Sequence, residues 1–177
     1  MANDSTQCCS SDHACCSVNH EKKRITIDFL YLDLSVCTRC QGAQTNLDLA
    51  LNQVANVLDA AGYEIIVNKI KITTKQLAID HEFLSSPTIR VNGNDIALNV
   101  HESTCEDCGD ICGERVDCRE WHYEGIAYTE PPKAMIINAI LKEVYTEPKE
   151  LQKPKIEYVL PSNLEMFFDG LDKQANA

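Results

Sequence analysis

Apolar positions along the chain alternate between two periods, and the changes mark a succession of strands and helices. In RITIDFLYLDL (24–34), Ile25, Ile27, Phe29 and Tyr31 face one way, and Leu30, Leu32 and Leu34 face the other. Apolar residues on both faces predict a central strand covered by helices on each side. In QTNLDLALNQVANVLDAAG (44–62) the period lengthens: Leu47, Leu51, Val54, Leu58 and Ala61 recur at helical spacing, with Gly62 as a left-handed stop. YEIIVNKIKI (63–72), rich in Ile and Val, is a second strand. Strand, helix and strand make a βαβ unit whose strands should run parallel with a right-handed crossover.

Downstream, TTKQLAIDHEF is a short helix capped by Thr73 or Thr74. SSPTIRVNGNDIALNV predicts a hairpin, Thr88–Val91 and Asp95–Val100 about an Asn92-Gly93 turn. REWHYEGIAYTE offers extended or hairpin structure around Gly125, with Trp121 in the core. PPKAMIINAILKEVY is a closing helix with Pro132 in its first turn and Met135, Ile136, Ile140 and Val144 on one face. SNLEMFF reads as a capping box, Ser162 to Glu165, opening a small helix that docks on the domain or on a partner.

Composition narrows the class. The 177 residues suit one domain with appendages, and 44% hydrophobic content can build a core. A formal charge of −11 argues against nucleic acid and against an anionic membrane surface. No stretch reaches the ~20 apolar residues of a membrane span, and the first 24 residues lack the apolar core of a secretory signal. A reducing cytoplasmic location is therefore expected, where ten cysteines serve as metal ligands or redox thiols more readily than as structural disulfides.

Those cysteines fall into three groups. Cys37 and Cys40 form a C-x-x-C pair at the first strand-to-helix junction. A thiol at a helix start has its thiolate favoured by the partial positive charge of the free N–H groups. Cys37 is the expected attacking thiol, Cys40 the resolving one, and Arg39 an exposed source of positive potential. Cys105, Cys108, Cys112 and Cys118 give C-x2-C-x3-C-x5-C, with Gly109 and Gly113 permitting the tight turns of a chelating loop. Four thiolates suit tetrahedral zinc or an iron–sulfur cluster; two disulfides stapling an insertion are the other reading. Asp107, Asp110, Glu114 and Asp117 read as a solvated acidic rim, since sulfur outcompetes carboxylate for soft ions. Cys8, Cys9, Cys15 and Cys16 sit in a polar segment that cannot bury itself and is expected to be disordered, a lure for thiophilic ions such as arsenite or mercury. His81, His101 and His122 are scattered and read as surface or packing residues.

From Ile25 to Tyr145 the chain resembles the thioredoxin-like superfamily: VCTRC lies at the first strand–helix junction, and Ser86-Pro87-Thr88 stands where that superfamily has its cis-proline. More narrowly, LYLDLSVCTRCQG, SSPTIRVNG, CEDCGDICG and PPKAMIINAILKEVY resemble a bacterial and archaeal thioredoxin-like family known as a domain of unknown function. The resemblance implies an α/β thioredoxin-like fold over 25–145, with a cysteine-rich insertion at 101–120, a cysteine-rich tail at 1–24 and an extension at 146–177. It implies thiol–disulfide exchange by Cys37 and Cys40, with Pro87 bringing the Ser86 backbone against the sulfurs to pair with a substrate chain. Three positions depart from the superfamily pattern. Thr38-Arg39 replaces Gly-Pro, Val36 replaces an aromatic, and Tyr31 stands where an acid would relay a proton, with Asp28 and Asp33 offset. The rival expectation is a protein that binds or delivers zinc, arsenite or mercury without turnover. The expected partner is accordingly a protein thiol or disulfide, or a thiophilic ion; oligomeric state is not encoded in any pattern found.

Overall fold

The computed structural model describes residues 21–146 and 157–176. The expectations for Cys8, Cys9, Cys15 and Cys16 lie outside the described residues. The described residues form a mixed α/β structure of two sheets and five helices. The first sheet has the order β2-β1-β3-β4, from β1 (Lys23–Tyr31), β2 (Tyr63–Lys71), β3 (Thr88–Val91) and β4 (Asn94–Asp95). β1 is central: it runs parallel to β2 from Lys23↔Tyr63 to Tyr31↔Lys71, and antiparallel to β3 from Leu30↔Thr88 to Ile27↔Val91.

The two faces of β1 divide the core as the sequence pattern expects. Ile25, Ile27 and Phe29 lie on one face with helix α1 (Thr38–Ala60) and the closing helix α4 (Lys133–Tyr145). α1 buries Ala43, Leu47, Ala50, Val54 and Leu58 there, at spacings of three and four that keep one stripe inward. Its chain reversal into β2 passes through Gly62 at φ +84°, a left-handed conformation glycine adopts freely. Leu30 and Leu32, on the opposite face, pack with the cysteines, Phe83 and the C-terminal helix α5 (Ser162–Ala175). This second face is covered only towards the cysteine end; Thr26 and Asp28 remain half-buried.

The second sheet, β5-β6-β7, carries the cysteine arm: β5 (His101–Cys105), β6 (Val116–Tyr123) and β7 (Ile126–Tyr128), with helix α3 (Glu106–Cys112) between its first two strands. Buried Arg119 joins the sheets, its Nη1 gripping both Asp95 carboxylate oxygens at 2.8 and 2.9 Å over the ring of buried Trp121. The short helix α2 (Lys75–Asp80) is capped by Thr74, whose Oγ1 accepts from Leu77 N–H at 3.1 Å.

Three local expectations are corrected. The hairpin's second strand stops at Asp95, because the Asp95 carboxylate accepts from Ala97 N–H at 2.9 Å and turns the chain out of the sheet. The capping box does not form: Pro161 takes the N-cap position, leaving Ser162 inside the helix with no side-chain cap. Asn163 instead docks the helix, its amide exchanging two hydrogen bonds with the Asp117 backbone at 2.9 and 2.6 Å. The presumed chelating loop holds helix α3: Gly109 lies within it and Gly113, at φ +71°, ends it.

Candidate metal centre

Four thiols meet where the two sheets join. Cys37, Cys105, Cys108 and Cys118 are all buried, and their sulfurs lie within 4.8 Å of one another. Each comes from a defined backbone position. Cys37 is the N-cap of α1, its sulfur accepting from Cys40 N–H at 3.4 Å. Cys105 is the N-cap of α3 and Cys108 lies one turn on, so the two sulfurs share a face. Cys118 returns on β6 opposite Ser103, with its sulfur 3.3 Å from that of Cys108.

The fifth and sixth described cysteines stand apart from this group. Cys112 sits at the far end of α3, about 10 Å along the axis from Cys105 at 1.5 Å per residue. Its sulfur faces the Gly109 and Glu114 carbonyls, and its backbone packs so closely on Gly170 of α5 that a Cβ there would meet its carbonyl oxygen at 2.4 Å. Cys40 lies one turn into α1, with its sulfur 3.4 Å from Ser86 Oγ. Ser86–Pro87 is a cis peptide, and the Ser86 hydroxyl also accepts from Leu32 N–H at 3.1 Å. The structure thus separates the sequence-predicted set 105/108/112/118 and joins three of its members to Cys37.

Side chains that the sequence reading left in solvent fasten the arm to α1. Arg39 is half-buried: its Nη1 donates to Ser103 O and Oγ and to Cys118 O, and its Nη2 to Thr104 O, at 2.9–3.4 Å. Asp107 accepts from both Thr38 N–H and Thr38 Oγ1 at 2.7 Å, satisfying one of the open donors at the start of α1. Sequence carries a partial signal for both: an arginine inside C-x-x-C, and an acid inside the second cysteine run.

Sulfur–sulfur hydrogen bonding sets the electrostatics. Hydrogen bonds from Cys105, Cys108, Cys118 and Cys40 pull the Cys37 thiol far below the usual range, against burial. The Cys105 thiol is drawn down to about 7 by Cys108 and Cys118. Cys108 is pushed up foremost by its bond to Cys105, and Cys118 by its bonds to Cys105 and Cys108. Cys40 is raised by its bond to Cys37 and by burial. Within the group, hydrogen bonding thus favours the ionised form most strongly at Cys37 and disfavours it at Cys108 and Cys118.

The donor set fits a single thiophilic ion. A tetrahedron with ~2.3 Å metal–sulfur bonds has sulfur edges of about 3.8 Å, so the group needs only slight adjustment. An iron–sulfur cluster interposes several atoms between its thiolates and needs a wider span. Four sulfurs and no carboxylate or imidazole in the group select soft or borderline ions, and leave no open position for a substrate.

Fold and site together define a mixed α/β protein with a buried four-thiol centre. The chain belongs to the family described as a domain of unknown function, DUF2703, whose model matches residues 25–140. The comparisons with curated proteins and with solved structures gave no match.

Proposed function

We propose that this protein holds one thiophilic metal ion, zinc foremost, between Cys37, Cys105, Cys108 and Cys118 on a thioredoxin-like scaffold. The reading is carried by one observation: the first cysteine of C-x-x-C shares a buried 4.8 Å group with three cysteines of the arm. The scaffold reading is supported by the order β2-β1-β3-β4 with β1 and β2 parallel, by α1 starting at Cys37, and by the cis Ser86–Pro87 bond before β3. A closed tetrathiolate favours holding or handing over an ion rather than turnover at the metal. Arsenite and mercury are alternative cargoes of the same sulfurs. No described helix is long and apolar enough to cross a membrane.

Thiol–disulfide exchange is the second reading, supported by the C-x-x-C pair beside the cis-proline. Two features weigh against exchange in the conformation described. Cys37 and Cys40 are both 0% exposed. The Ser86 carbonyl, the group a substrate strand would pair with, accepts at 2.7 Å from Arg119 N–H of the protein's own β6. The arm thus occupies the edge that exchange would use.

The test is cobalt(II) and zinc titration of the full chain, anaerobic, with Cys8, Cys9, Cys15 and Cys16 replaced by serine. We expect one ion per chain with a tetrahedral thiolate spectrum. Cys37→Ser and Cys108→Ser should weaken binding by tenfold or more, while Cys112→Ser binds like its parent. Equal binding by Cys37→Ser, or loss in Cys112→Ser, refutes this ligand set. Rapid insulin reduction that Cys37→Ser abolishes would favour the exchange reading.

A further inference from the structure

Cys37 belongs to two sulfur partnerships at once, and it cannot serve both. On one side it completes the group with Cys105, Cys108 and Cys118. On the other stands Cys40, three residues on, whose N–H points at the Cys37 sulfur and whose own sulfur lies outside the four-thiol group, against Ser86. Disulfides need Cβ atoms about 3.5–4.5 Å apart, closer than the ~5–6 Å of two residues one helical turn apart. Cys37 is the N-cap, with extended backbone at φ −71° and ψ 109°, so the pair can close by a small backbone adjustment at Cys37 outside the regular helix.

We propose that ion binding and a Cys37–Cys40 disulfide are mutually exclusive, so that oxidation of this pair releases the ion. The inference rests on the metal-holding reading above. The co-reactant is a low-molecular-weight disulfide, RS–SR. Cys40 loses its proton and attacks one sulfur of RS–SR, forming a mixed disulfide and expelling RS⁻. Cys37 then leaves the ion and attacks the Cys40 sulfur, expelling the second RS⁻. One bond forms between Cys37 Sγ and Cys40 Sγ, and the RS–SR bond is lost. Two electrons pass from the pair to the reagent, and one proton is released. With one of its four sulfurs withdrawn into the disulfide, the ion is released.

Access gives the switch its direction. With the arm seated, both sulfurs are covered, and an oxidant reaches them only after the arm lifts from α1. The ties at that point are the Arg39 bonds to Ser103, Thr104 and Cys118 and the Asp107 bonds to Thr38, to which a bound ion adds its own links. A bound ion therefore makes the opening that oxidation needs rarer, and oxidation of the pair slower.

The test equilibrates the full chain, tail cysteines replaced by serine, in glutathione redox buffers at fixed pH and several buffered free-zinc concentrations. The Cys37–Cys40 disulfide is quantified by differential alkylation and peptide mass mapping. Above the zinc dissociation constant, each tenfold rise in free zinc should demand a tenfold more oxidising buffer ratio, a shift of about 30 mV for a two-electron couple. Cys40→Ser should bind zinc as tightly as its parent, yet keep it in buffers that strip the parent. A potential independent of zinc in protein that binds it overturns mutual exclusion and leaves the metal site standing. Failure to bind zinc at all removes both. Equal zinc loss from Cys40→Ser, or a disulfide mapped among Cys105, Cys108 and Cys118 in its place, overturns the role of Cys40.

Discussion

The two apolar clusters of this molecule lie on either side of the same strand and are made of different material. On the α1/α4 face, Ile25, Ile27, Phe29, Leu47, Leu58 and Ile136 are aliphatic and aromatic residues fully or nearly fully buried. On the opposite face, six cysteines share the space with Leu30, Leu32, Phe83, Phe167 and Phe168. A buried thiol is small and packs as a weak hydrophobe, whereas its affinity for an ion is large. The first cluster therefore stands on burial alone, whereas four of the sulfurs in the second are grouped closely enough that they could also hold an ion.

The sharpest way to break that contrast is a cavity on the first face. Phe29→Ala should cost about 3–5 kcal/mol, and by the same amount with zinc bound or chelated, because no cysteine of the metal group belongs to its cluster. Urea unfolding of both forms checks it. A loss that shrinks strongly on zinc binding would mean the clusters are not independent.

The same division explains what the sequence made legible. Periodicity finds burial, so β1 with its two faces, the inward stripe of α1 and the helix α4 were readable from residue spacing. Turn chemistry was readable too, at Gly62 and at Asn92-Gly93, all with positive φ. The four-thiol group was readable only in part, because residue spacing is a one-dimensional clue to a three-dimensional object. Treating 105–118 as a chelating loop of tight turns made Cys112 equivalent to its neighbours; once Glu106–Cys112 is a helix, its axial rise carries Cys112 away. The acids opening EDCGDIC and the glycine closing it were the available helix signals. Cys37 joins from 68 residues before Cys105, brought there only by the packing of the arm on α1. The pairing of Arg119 with Ser86 is likewise a product of tertiary structure.

A smaller effect probes the seam between the two regions. Arg39 is the one side chain that reaches from α1 to both β5 and β6 in the hydrogen bonds described. Arg39→Gln keeps helix propensity but loses the charged, branched donor, at a cost of about 1.5–3 kcal/mol. The cost should fall on the arm. Hydrogen exchange is expected to quicken in β5 and β6 and to remain unchanged in β1 and β2. Uniform acceleration through both sheets would assign Arg39 to global stability instead.

The smallest expected effect lies at Asp33, in the turn between β1 and α1 that sets the position of Cys37. Its carboxylate, 15% exposed, accepts from Ser35 N–H at 2.6 Å and Val36 N–H at 3.2 Å, also bonds the Ser35 hydroxyl, and pairs with Lys71 at 2.8 Å. Burial pushes this acid upward, but the bonds from Lys71 and Ser35 outweigh it and hold the pKa down to about 2, below the ordinary 3.8. A folded-state pKa below the unfolded one stabilises at pH above about 4, and that contribution is lost as pH falls through 4 towards 2. With solvent screening at the Lys71 side, the term is about 1 kcal/mol. Asp33→Asn should therefore be less stable than its parent by roughly that amount at pH 6 and converge with it near pH 2. Parallel stability curves across that interval would show that the charge on Asp33 contributes nothing to holding the turn, leaving its two backbone hydrogen bonds to place Cys37 at the start of α1.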